Sequence, residues 1–290
     1  MIRAFPVTSV ALCCMLLPAL ITAAQIDLVG PVGSGAFGNR VTLLPNGNFV
    51  VTDPLFDSPG GVAGVGAVTW RDGTGVSGAV VSVSNSLTGS VPNDSVGFRR
   101  SAALSNGHYV VRSPLWSNGA IVQPGAATWR NGSSGSGAVV SSSNSLVGAT
   151  SGDRVGEEGV FALNNGHYVV DTARWDNGAT VDAGALTWRN GSGSSNGVIS
   201  ASNSLVGSTA NDRVGDSASS FAPVVAQSNG NYVVLNSRWN NAAIVDAGAI
   251  SLGFGAGGTV GPITAVNSVR GTVTNDIDAV DTPTTLCARS

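Results

Sequence analysis

The sequence predicts an all-β chain: a propeller-like array of four antiparallel blades, each four-stranded and 59 residues from one opening glycine to the next. Three observations predict it. Glycines 38, 97, 156 and 215 recur at one fixed step. An Asn-Gly pair follows each of them, at Asn46-Gly47, Asn106-Gly107, Asn165-Gly166 and Asn229-Gly230, and leads into a run rich in Val and Tyr. No stretch after residue 24 carries a helical period.

Residues 1–24 read as a secretory signal. Arg3 supplies the positive start, residues 10–21 an apolar core broken by Pro18, and Thr22, Ala23 and Ala24 the small residues before a cleavage ahead of Gln25. That core is too short for a membrane anchor, so the mature chain is expected to have no membrane span. Residues 25–30 repeat the end of a unit, because Leu28-Val29-Gly30 matches Leu205-Val206-Gly207. They are read as a spare last strand. The repeats then occupy 38–96, 97–155, 156–214 and 215–274, and residues 275–290 form a degenerate tail. In that tail Asn275-Asp276 echoes Asn211-Asp212 before the pattern fails.

Within a repeat, strand A follows the opening glycine, as in Arg99 to Leu104. The Asn-Gly pair then closes a hairpin into strand B, with both turn residues expected at positive φ. A longer connection carries an aromatic: Phe56, Trp116, Trp175 or Trp239. Strand C is the Gly-Ala-x-Thr-Trp run with Trp70, Trp129 and Trp188, replaced in the last copy by Leu252. Strand D is expected over about Ala138 to Leu146 and its equivalents.

Composition narrows the function. The 290 residues carry a formal net charge of −3, only 11% are charged, and every basic side chain except the two histidines is Arg. No basic stripe exists for a nucleic-acid partner. Cys13 and Cys14 fall inside the signal, which leaves Cys287 without an internal disulfide partner or a thiolate cluster.

The repeat resembles the FG-GAP repeat of integrin α-like β-propellers, found also in bacterial secreted and surface proteins of unknown function. Phe37-Gly38 stands at the FG position, with Val96-Gly97, Val155-Gly156 and Val214-Gly215 in the later copies. Val51-Thr52-Asp53-Pro54 and Val111-Arg112-Ser113-Pro114 stand at the GAP position. Gly152-Asp153-Arg154-Val155-Gly156 matches the linker into the next blade. The resemblance covers roughly residues 28–271 and implies a propeller of extracellular, bacterial setting. Two departures matter. Family rings usually hold more blades, which leaves three readings: a four-bladed ring with the spare strand outside it, an open arc whose edge blades need a partner, or a truncated relative of a longer protein. Family members often bind calcium at the A–B turn, but none of the four turns here carries a carboxylate. Neither a metal nor any other cofactor is expected.

No residue set amounts to a reaction centre. His108 and His167 share one repeat position with Asn48 and Asn231 and read as polar residues leaving a turn. Asp94, Asp153 and Asp212 recur at one step, as structural residues do. Glu157 and Glu158, the sole glutamates, would point to opposite faces of a strand. Binding is the better expectation. The aromatics Phe56, Trp116, Trp175 and Trp239 could form a repeated ligand platform, and Arg71, Arg130 and Arg189 a basic ring on one face. The sequence therefore reads as a secreted or cell-surface non-enzymatic repeat protein that presents loops for binding or adhesion. Its partner would be an extracellular protein or glycan, with self-association through open edge blades as a further expectation. The alternatives are a lectin-like propeller and, below it, a polysaccharide hydrolase or lyase.

Overall fold

Hairpins dictate the fold. In the computed structural model, which describes residues 30–31, 34–74, 80–216 and 222–276, each Asn-Gly pair closes strand A onto strand B. Only the glycines take positive φ, however: 86°, 87°, 87° and 87° at Gly47, Gly107, Gly166 and Gly230. The glycine N–H donates three residues back, as from Gly47 to Leu44 O at 3.0 Å, and Leu44 N–H donates to Asn48 O at 2.8 Å. The loop is thus one residue longer than the two-residue turn expected. It is a type I turn closed by a left-handed glycine, which spares the asparagine a positive φ.

The first repeat forms β1 (Arg40–Leu43), β2 (Phe49–Asp53), β3 (Ala67–Arg71) and β4 (Ser86–Thr88). The second forms β5 (Arg99–Ala103), β6 (Tyr109–Ser113), β7 (Ala126–Arg130), β8 (Ala138–Val139) and β9 (Leu146–Val147). The third forms β10 (Gly159–Ala162), β11 (Tyr168–Thr172), β12 (Ala185–Arg189), β13 (Gly197–Val198) and β14 (Leu205–Val206). The fourth forms β15 (Val224–Ala226), β16 (Tyr232–Asn236), β17 (Ala249–Gly253), β18 (Gly261–Pro262) and β19 (Ser268–Arg270). No helix occurs among the described residues. Residues 1–24, read above as a signal, Leu28-Val29 and the tail beyond Asp276 lie outside them.

The expected strand D is two pieces. Its first part leaves its own repeat and pairs in parallel with the last strand of the preceding sheet: β8 on β4, β13 on β9 and β18 on β14. An Asn turn then redirects the chain; Asn144 Oδ1 accepts from Ser141 N–H at 3.0 Å and its amide donates to Val139 O at 2.8 Å. Each of the first three sheets therefore has five strands, four of its own and one from the next repeat, while the last has four.

The sheets stack face against face. Val50, Val68 and Leu87 on the rear of the first sheet pack with Tyr109, Val111 and Ala126 on the front of the second. Val110, Ala127 and Leu146 meet Tyr168, Val170 and Ala185, and Val169, Leu186 and Leu205 meet Tyr232, Val234 and Ala249. Strand alternation explains the pairing: consecutive valines of strand B point to opposite faces, and both faces are covered. The first strands of successive repeats also approach one another, with Thr42 Oγ1 donating to Ser101 O at 3.2 Å. Among the described residues the stack does not close, for the rear of the fourth sheet stays open (Leu252 and Val269 are exposed).

Candidate functional site

The B–C turns and the crossovers into strand A lie at one end of the stack. The opening glycines make the crossover, with φ of 85° at Gly156 and 103° at Gly215. A Cβ on Gly215 would also lie 2.1 Å from Asp171 Oδ1, so only glycine lets that buried carboxylate sit beneath the crossover. Charged residues gather around these two turns. Glu157 and Glu158 follow Gly156, Asp216 follows Gly215, Arg99 begins β5, and Arg174 and Arg238 precede the B–C tryptophans. Arg99, Glu157, Glu158, Arg174, Arg213 and Asp216 line a cleft of about 300 Å³, with Ala173 as its apolar member.

The cleft is balanced in charge and joins three repeats. Arg99 of the second repeat pairs with Glu157 of the third. Arg174 Nε stands 3.6 Å from Glu158. Asp216 of the fourth repeat receives Arg238 Nε at 2.9 Å and Arg213 Nη1 at 4.0 Å, and Arg213 also holds Asp182 at 2.7 Å. Behind them Arg112 donates to the carbonyls of Gly156 and Glu157, both at 2.7 Å. Burial raises the Glu158 carboxyl to about 7; its backbone hydrogen bond and Arg174 oppose that, and Glu157 and Asp216 add to it. Fully buried Asp171 is also pushed well above the usual carboxylate range, first by burial and then by Glu158 and Asp216. One oxygen each of Glu157, Glu158 and Asp171 is buried without a protein hydrogen-bond partner. Such groups favour a ligand or water that completes their bonding.

The residues singled out from sequence fall elsewhere. Phe56, Trp116, Trp175 and Trp239 do not form an exposed platform: they are only 3% to 5% exposed, each built into the core at the front of its sheet. The B–C loop folds back over the ring, as when Gly125 N–H donates to Trp116 O at 3.2 Å, so a position at the start of a loop does not imply exposure. Arg71, Arg130 and Arg189 end strand C, at the opposite end of the sheets from the B–C turns, so the two sets do not meet. Arg71 is buried, Arg130 binds Ser136, and burial lowers the Arg189 pKa. They do not form an open basic ring.

The histidines and aspartates are structural parts. His108 and His167 accept at Nδ1 from Gly132 and Gly191 N–H at 3.2 and 3.1 Å; Asn48 and Asn231 accept from Gly73 and Gly255 at 3.1 and 2.9 Å. Buried Asp94, Asp153 and Asp212 cap the crossover loops. Asp153 Oδ2 accepts from Ala149 and Thr150 N–H at 2.7 and 2.8 Å, while its Oδ1 accepts from Asp176 N–H of the next repeat at 3.3 Å. No group of three or more His, Cys, Asp or Glu fit to hold a metal ion exists among the described residues.

The cleft residues left a trace in the sequence that repeat analysis passes over. The position after the opening glycine reads Asn39, Phe98, Glu157 and Asp216, and the position before the B–C aromatic reads Leu55, Leu115, Arg174 and Arg238. Opposite charges thus replace neutral residues at two positions together, in the third and fourth copies only.

Comparison with known families fits the same periodicity. A family described as Repeat of unknown function (DUF5650) matches four successive stretches, residues 43–98, 103–157, 162–216 and 226–278. The chain belongs to this family. No curated protein matches it. In this DUF5650 array Glu157 and Asp216 close the second and third matched units, and Glu158 falls between matched units. The cleft is therefore a feature of the junctions, assembled only where successive repeats stack.

Proposed function

We propose that this DUF5650 chain is a secreted or surface-exposed binding protein without catalytic activity, and that it engages an extracellular protein or glycan at the charged cleft. One observation carries the reading: hydrogen-bonding atoms of Glu157 and Glu158 are buried but unpartnered in an open cleft, where Glu157, Glu158, Arg174 and Asp216 depart from the first two repeats. Three guanidinium groups face three carboxyl groups there, so the site suits a ligand offering donors and acceptors together. It does not suit a strongly charged polymer. The lectin-like alternative loses its main support, because the four aromatic rings at the B–C turns are buried. Each repeat is, in this reading, an FG-GAP-like blade; the motif order and the face-to-face stacking support it. The leader-like pattern of residues 1–24 supports export, with cleavage before Gln25 in this reading.

Arrays of extracellular proteins and glycans, probed with the full chain and with an Arg174→Ala, Glu158→Gln variant, test the proposal. A specific hit weakened tenfold or more by the double substitution supports it. A hit indifferent to the substitutions places binding elsewhere on the chain.

A further inference from the structure

Every internal junction is built from the rear of one repeat and the front of the next, and each end of the array leaves apolar side chains of one such half exposed. At the C-terminal end the rear of the fourth sheet presents Val233, Ile250, Leu252, Val266 and Val269 along an open groove of about 360 Å³. The equivalent Val50, Val110 and Val169 are fully covered, as are Leu87, Leu146 and Leu205 within 2%. Val269, which matches those leucines, is 71% exposed. The D-strand edge is open as well. β4, β9 and β14 each pair with a parallel strand of the following repeat, and β19 has no such neighbour among the described residues. The capping aspartate repeats the pattern. Asp94, Asp153 and Asp212 accept the N–H of Ser117, Asp176 and Asn240 of the next repeat at 3.0 to 3.3 Å, whereas Asp276 is exposed.

At the N-terminal end only the β1 side of the first sheet's front is open, because Val51, Phe56 and Ala67 are already buried. Val41 and Leu43 on β1 are 43% and 75% exposed. Gly73 is exposed where its equivalents Gly132, Gly191 and Gly255 are buried beneath the preceding repeat. Side-chain sizes at the two ends are exchanged in a complementary way. Each internal junction combines a tryptophan from the rear with an alanine from the front: Trp70 with Ala103, Trp129 with Ala162, and Trp188 with Ala226. At the ends the rear carries Leu252 in place of the tryptophan, and the front carries Leu43 in place of the alanine. A large residue facing a small one is thereby replaced by two of middle size, which conserves the packed volume.

We propose that the open rear of the fourth sheet binds the exposed β1 side of the first sheet of a second copy of this chain, head to tail, with Leu252 meeting Leu43 as tryptophan meets alanine at the internal junctions. The contact is heterologous, so it propagates into a chain of copies unless the rotation per copy closes a ring. It does not rest on the cleft described above.

Light scattering coupled to size-exclusion chromatography, over a hundredfold range of concentration, tests the proposal with two variants at exposed positions: Leu43→Arg on the front and Val269→Arg on the rear. Wild type is expected to grow in mass with concentration, and each variant alone to remain monomeric with an unchanged melting temperature. Mixed in equal amounts, the variants are expected to form a complex of twice the monomer mass, since each keeps one intact half. A wild-type protein that stays monomeric overturns the proposal. So does association that persists in Leu43→Arg alone, which marks rear-to-rear contact, or a mixture that gives no heterodimer although wild type associates.

Discussion

Glu158 shows how position sets the chemistry of a single residue here. Its carboxyl is mostly buried at the crossover into the third repeat, and the guanidinium nearest to it, Arg174, stands at 3.6 Å. Burial prevails over that cation and raises the folded-state pKa from 4.5 to about 7. The sign of the linkage follows. The folded protein keeps a proton that the unfolded chain releases above 4.5, so this residue destabilises the fold progressively as pH rises through 7. Buried Asp171 shifts in the same direction and adds to the trend. Glu158→Gln is therefore expected to match wild type near pH 4 and to melt higher above pH 7. The full shift corresponds to about 3 kcal/mol, and partial exposure reduces this to about 1–2 kcal/mol, or roughly 2–6 °C. Melting curves at pH 4, 6 and 8 check it; a gain at pH 4 as large as that at pH 8 contradicts the assignment.

At the scale of the elements, the two tryptophans of a repeat divide the work between core and clamp. Trp129, on β7, donates from Nε1 to Gly191 O of the next repeat at 2.8 Å; Trp70 and Trp188 donate likewise to Gly132 O at 2.8 Å and Gly255 O at 3.0 Å. Asn46, Asn106 and Asn165 of the hairpin turns reach the same three carbonyls at 2.8 to 2.9 Å. The accepting loop has no room for a side chain, as a Cβ on Gly132 would lie 1.7 Å from Gly107 O. Trp116 is buried in the junction with the preceding repeat, yet its Nε1 has no protein acceptor, and the first repeat holds Phe56 at that place. Trp129→Phe is accordingly expected to cost about 1–2 kcal/mol and Trp116→Phe no more than about 1 kcal/mol, measured by urea unfolding. A reversed order removes the clamp. The contrast also marks how far sequence reaches. Hairpins and the order of strands A, B and C were legible, because Asn-Gly turns and a fixed period act locally. The burial of Trp116 was not, since it depends on a loop that folds back after the ring. Nor was the exchange of β8, β13 and β18 between repeats, because two-residue parallel strands have no pattern of their own. The cleft was half visible: Glu157, Glu158, Arg174 and Asp216 break the repeat, but their convergence depends on how one sheet sits upon the next.

Across the whole molecule, each sheet touches only its neighbours, so stability is expected to follow a one-dimensional pattern. The second and third sheets are covered on both faces and have a strand of the next repeat on their D edge. Among the described residues the fourth is covered on its front only, has no added strand, and carries Leu252 and Val269 in the open. Its internal pairing is nevertheless equivalent: β16 and β17 make five residue pairs, as do β6 with β7 and β11 with β12. Differences in protection between these hairpins therefore report the covering by neighbours and not the ladders themselves. Hydrogen exchange on dilute protein, below the onset of any association, is expected to show amides of β16 and β17 opening at least about tenfold faster than those of β6, β7, β11 and β12. Equal protection in all four sheets would mean that the array unfolds as one cooperative block, and that the missing neighbour costs the last repeat nothing. The same amides, followed as the concentration is raised, should become slower to exchange if a second copy covers the open face, while those of β6 and β11 stay unchanged.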